Sequence, residues 1–152
     1  MFRGLSEAQI DSKGRITIPA NYRTLIVEEA SGSLVVTIDT EQRSLLLYPF
    51  PQWQVIEEKL EALPSFQPAA RRIQRLLMGH ATELELDRQG RILLPTLLRD
   101  YADLDKTAIL VGQGKKIEIW NEAAWEDARA TWLAESIGEN HSVPMELAML
   151  TL

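Results

Sequence analysis

Hydrophobic and polar positions alternate with period two over several short stretches of the chain, and these stretches come in two matching sets. Residues 7–10 alternate before Asp11-Ser12-Lys13-Gly14 and residues 83–86 before Asp87-Arg88-Gln89-Gly90, and a second strand follows each turn, over 15–18 and 91–94. Period two predicts half-buried strands, and Asp-x-x-Gly between two strands predicts a hairpin turn. Pro19 and Pro95 then open a short helix in each set, since proline is tolerated at a first helical position. Further strands are predicted over residues 34–39 and Leu45–Pro49, with a turn at 40–43. Their counterparts are strands over 107–111 and 116–120, with a turn at 112–115.

Elsewhere the apolar period lengthens to that of a helix. Pro51 starts a helix with Trp53, Ile56, Leu60 and Leu63 on one face, and Pro64 ends it. Pro68 starts another, with Ile73, Leu76 and Leu77 apolar and Arg71, Arg72 and Arg75 polar, closed by Gly79. Asn121 is placed to cap a last helix, in which Trp125, Ala128, Trp132 and Leu133 make an apolar stripe. The apolar stretch 145–152 is a candidate docking segment in the tail that follows Gly138.

The two sets are copies of one unit. Residues 7–23 and 83–99 align without gaps with seven of seventeen positions identical, among them Asp11/Asp87, Gly14/Gly90, Arg15/Arg91, Pro19/Pro95 and Arg23/Arg99. Downstream, Leu45–Tyr48 precedes Trp53 as Lys116–Trp120 precedes Trp125. The expected organisation is one unit over 5–52, a helical link over 53–80, a second unit over 81–124, and a helix and tail over 125–152.

Composition narrows the function. Hydrophobic residues make up 45% of 152 positions, enough for a packed interior. With no cysteine, disulfides and thiolate metal sites are excluded, which fits a reducing cytoplasm. The N-terminus lacks the apolar core of a signal peptide, and no apolar run is long enough to span a membrane. The net charge of -6 argues at first against a nucleic-acid partner, but the surplus is local. Residues 1–117 hold fifteen basic and fifteen acidic residues, whereas 118–152 hold one arginine and seven acids. DNA binding requires a positive face and not a basic chain.

Turn chemistry accounts fully for the repeated aspartate and glycine: Asp bonds nearby backbone N–H groups and Gly supplies positive φ. It does not account for the arginine that follows in both copies. Arg15 and Arg91 either pair with the Asp of their own turn, as many exposed ions do to little effect, or present a planar fork to phosphates and base edges. Lys13 and Arg88 flank the same tips. Arg23 and Arg99 are expected to cap the C-terminal ends of their helices.

Catalysis has little material. His80, at a helix end, reads as a structural histidine; His141 is the only other one. No cluster has metal-ligand spacing, no nucleotide-binding or nucleophile-elbow motif occurs, and no metal or cofactor is expected. Gly112-Gln-Gly114 reads as a hairpin turn. A protein-binding or scaffolding module, antitoxin-like, is the rival from another class. Its support is the acidic C-terminal helix, the apolar tail and four tryptophans that suit a subunit interface.

The stretch D-S-K-G-R-I-T-I-P at 11–19, followed by a short helix and a second hairpin, resembles the swapped-hairpin DNA-binding domain named after SpoVT and AbrB. Two such units in one chain, opened by MFRG and joined by helices, closely resemble the MraZ family. The resemblance implies an α+β, mainly β fold of two pseudo-symmetric, interleaved swapped-hairpin barrel units. It implies a cytoplasmic, nucleoid-associated regulator that binds double-stranded DNA. Such a regulator represses its own operon of division and cell-wall genes, reading short direct repeats in the promoter as a ring homo-oligomer. The family's DNA-contact positions map onto Lys13, Arg15 and Arg91; Gln89 departs from the pattern, and Arg88 adds a charge one place earlier.

Overall fold

The computed structural model describes residues 1–135 and 144–151. Residues 1–122 form one compact unit and 123–152 a second. The first contains strands β1 (Phe2–Gln9), β2 (Arg15–Thr17), β3 (Ser33–Ile38) and β4 (Leu45–Pro49), with helix α1 (Ala20–Ala30) between β2 and β3. Helices α2 (Phe50–Glu61) and α3 (Pro68–Gly79) follow, then β5 (Thr82–Glu85), β6 (Arg91–Leu93), α4 (Thr96–Tyr101), β7 (Thr107–Gly114) and β8 (Lys116–Asn121). The remaining helices are α5 (Glu122–Ala134) and α6 (Met145–Ala148).

The two repeats exchange strands. β1 of the first repeat pairs antiparallel with β7 of the second, and β5 of the second pairs with β3 of the first. All eight β1 residues are in register with β7, from Phe2↔Gly114 to Gln9↔Thr107. These pairings give a six-stranded sheet in the order β1-β7-β8-β4-β3-β5, with β1 and β5 at its edges. The other sheet is the ribbon β2-β6, with Ile16 opposite Ile92 at its centre. The fold is therefore α+β with interleaved repeats.

The main core lies between ribbon and sheet. Ile16, Ile18, Ile92 and Leu94 from the ribbon strands and their continuations meet Tyr22 and Ile26 of α1, Leu98 of α4, and Leu34, Val36, Leu47, Leu110 and Ile119 of the sheet. Burying each such side chain contributes roughly 1.5–3 kcal/mol, and the cluster as a whole draws on both repeats. The opposite face of the sheet carries a smaller cluster, where Val35, Leu46 and Tyr48 receive Trp53 and Leu60 of α2. That explains why all five residues of β4 are buried: α2 and α3 cover one face while the main core covers the other.

Several boundaries differ from the sequence reading. β1 begins at Phe2, five residues earlier than the alternation suggests, because pairing with β7 supports backbone that the pattern alone does not mark. β7 runs through Gly112 to Gly114, so the hairpin turn reduces to Lys115. Adding a Cβ at Gly112 would bring it within 2.6 Å of the Arg3 Cα, which ties that glycine to the close approach of β1. Pro19 and Pro95 are N-caps, one place before the first helical residue. α1 is eleven residues long, against six for α4.

In the second unit, the rings of Trp125 and Trp132 on α5 meet edge-on with centroids 6.0 Å apart. Trp132 and Leu133 are exposed, as are Met145, Leu147, Met149 and Leu150 around α6. The expected stripe on α5 thus has no buried member. Gly138 and His141 lie outside the described residues.

Candidate nucleic-acid interface

Both turns are built by one aspartate carboxylate. In the first, Asp11 Oδ1 accepts from the backbone N–H of Lys13 at 3.0 Å and of Arg15 at 2.9 Å, and Gly14 N–H closes the turn onto the Asp11 carbonyl at 3.0 Å. In the second, Asp87 Oδ1 accepts from Gln89 and Arg91, both at 2.9 Å, and Gly90 N–H donates to the Asp87 carbonyl at 3.0 Å. Gly14 and Gly90 have φ of 87° and 74°, a region that glycine enters without steric cost. No side chain at the loop centre enters this network, so Ser12-Lys13 and Arg88-Gln89 are equally compatible with it.

The other carboxylate oxygen aims the arginine. Arg15 Nε donates to Asp11 Oδ2 at 2.7 Å, and Arg91 Nε to Asp87 Oδ2 at 2.9 Å. The ion pair foreseen as one reading of these arginines is present. It engages the inner nitrogen, Nε, and among the described residues the terminal nitrogens of Arg15 make no hydrogen bond. Arg91 Nη1 also lies 4.0 Å from Asp11 Oδ2, so a cation of the second repeat meets the carboxylate of the first. The Arg15 amide, the Arg15 guanidinium and the Lys13 amide together hold the Asp11 carboxyl at about 2, below its ordinary 3.8 and against a smaller upward push from burial. Asp87 is lowered for the same reasons, the Arg91 amide first.

The ribbon places both arginines on one face. Register sets Arg15 opposite Leu93 and Thr17 opposite Arg91. Ile16 and Ile92 point into the core, so Arg15, Thr17, Arg91 and Leu93 point out. Lys13 and Arg88 are exposed at the turns on the two ends of the ribbon. The face therefore carries four cations against two carboxylates. Thr17 and Leu93 were absent from the sequence-derived set; the strict alternation of residues 15–18 was the signal that would have found Thr17.

Arg23 and Arg99 do not cap helix C-termini. Each lies over the turn glycine of the other repeat: the Arg99 guanidinium against Gly14 and Arg23 against Gly90. Arg99 Nε donates to the Leu94 carbonyl at 3.1 Å, on the N-terminal side of α4, and its Nη2 to Thr96 Oγ1 at 3.0 Å. Strand exchange carries the opposite turn to these side chains, which a helix-by-helix reading cannot anticipate. His80 is held at the end of α3 by a 2.7 Å contact of Nδ1 with the Leu76 carbonyl. Among the described residues no three His, Cys, Asp or Glu side chains are grouped to hold a metal, and no helix is long and apolar enough to cross a membrane.

A family profile described as "MraZ protein" matches the chain twice, over residues 1–76 and 77–142. A protein named transcriptional regulator MraZ from Coxiella burnetii is 60% identical over 152 residues, the whole of both chains. Proteins of the same name from Legionella pneumophila and Halorhodospira halophila are 53% and 47% identical over the same full length.

Proposed function

Because this chain belongs to the MraZ family, we propose that it is a DNA-binding transcriptional regulator whose reading head is the outward face of the β2-β6 ribbon. The observation that carries this reading is the pair Arg15 and Arg91, each fixed through Nε by the aspartate of its own turn. A guanidinium held by its inner nitrogen keeps its outer edge for a phosphate or a guanine. Fixing it in advance reduces the entropy lost on binding. A two-stranded ribbon also has the width to enter a major groove. Lys13 and Arg88 at the two tips suit the phosphates flanking the groove.

The regulator represses its own operon of division and cell-wall genes, and it reads short direct repeats in that promoter as a ring homo-oligomer on the nucleoid. The family resemblance supports the operon and the repeats. The need for avidity supports the ring: one face offers four cations, too few for tight binding alone, and linking several faces makes later contacts intramolecular.

Gel retardation of the duplex upstream of the chain's own gene, across a salt series, tests the proposal. Retardation should weaken steeply with salt, since each neutralised phosphate releases counterions. No retardation at low salt, or retardation indifferent to salt, would contradict it.

A further inference from the structure

The ribbon has an internal twofold relation that its outward face does not obey. Ile16 and Ile92 face each other at the centre, and the relation exchanges Arg15 with Arg91 and Thr17 with Leu93. The arginines match. The other pair does not: one is a threonine, the other a leucine 55% exposed.

The fold gives no reason for that leucine. Threonine occupies the related place in a strand of the same length, with the same buried neighbours on either side. Leu93 stands opposite Arg15 and two residues from Arg91, so it holds apolar surface in water between two cations. In a DNA complex, the charged phosphates offer nothing to such a group. The thymine C5 methyl does, and it is displayed in the major groove alone. Thr17 brings a hydroxyl to the corresponding spot, which serves either a donor or an acceptor on a base edge.

We propose that Leu93 is a specificity-determining residue that contacts a thymine methyl, and that the Thr17/Leu93 mismatch gives the reading head a direction. This rests on the DNA-binding reading above. A face with true twofold symmetry would select a palindromic element. This one selects a non-palindromic element.

The test is selection of bound duplexes from a random pool by the full chain, followed by affinity measurements by fluorescence anisotropy. The selected element should be non-palindromic and contain one thymine whose replacement by deoxyuridine, which removes only the C5 methyl, weakens binding about fourfold. Leu93→Ser should bind thymine and deoxyuridine duplexes equally while still depending on Arg15. A palindromic element, or no thymine with methyl sensitivity in the unaltered protein, overturns the inference without any variant. Methyl sensitivity unchanged in Leu93→Ser overturns it too, and in these cases the DNA-binding reading survives. Failure of the unaltered protein to enrich any sequence overturns both.

Discussion

The Arg99 guanidinium lies over Gly14 so closely that a Cβ there would stand 2.6 Å from its Cζ. One residue belongs to the helix of the second repeat, the other to the turn of the first. Gly14 is therefore needed for its φ of 87°, and the Arg99 guanidinium fills the space its missing side chain leaves. Gly14→Ala should lower the unfolding free energy by about 1–3 kcal/mol, the usual cost of a strained backbone position. Part of that loss should be recovered when Arg99→Ala is added, because the double variant removes the clash and keeps the φ strain. Chemical denaturation of the four proteins checks this; strictly additive losses would separate the two residues.

Neither repeat should fold alone. A fragment ending at residue 80 keeps the β3–β4 pairing but leaves β1 without β7 and β2 without β6. Such a fragment should show no cooperative thermal transition, since an isolated pair of strands is marginal in water. Circular dichroism against temperature decides it, and a sharp transition with full secondary structure would refute the exchange of strands.

The Asp11 carboxyl should titrate near 2 in the native protein, below its ordinary 3.8. A depressed carboxylate contributes stability that is complete above the unfolded value and is lost as pH falls through the folded one. The first turn should consequently hold its geometry at pH 4 and loosen only as pH approaches 2. Carboxyl carbon shifts followed by NMR measure this directly; an ordinary midpoint would mean that the Arg15 and Lys13 amides do not hold the carboxylate.

Val27, Val55, Phe66, Leu93 and Leu97 are all exposed. Leu93 is assigned to the reading head, and the others are available for contacts between copies in a closed assembly. Sedimentation at micromolar concentration should give an assembly larger than a dimer. A monomer there would remove the ring and its avidity from the account.

Much of the fold was legible because duplication and alternation are local signals. Asp11, Gly14, Asp87 and Gly90 announce their turns by residue type, and Trp53 and Leu60 their helix face by spacing. Which strand pairs with which was not local. The resemblance implies interleaved units without naming which strands pair, and the placement of Arg23 and Arg99 over the opposite turns depends on that pairing. Arg15 and Arg91 were found because no turn needs an arginine after its glycine. Leu93 was hidden because an apolar residue in an apolar run, Ile92-Leu93-Leu94, reads as core until the register shows which way it points.

The central claim is that the arginines beside the two turns read DNA. It is tested most directly by retardation of the promoter duplex with Arg15→Ala, run beside size exclusion of the same preparation. The side chain is partly exposed and pairs with the Asp11 of its own turn, so the variant should elute with the unaltered protein while losing most of its DNA binding. Arg91→Ala should weaken binding as well. Arg15→Ala binding the duplex as tightly as the unaltered protein would contradict the account.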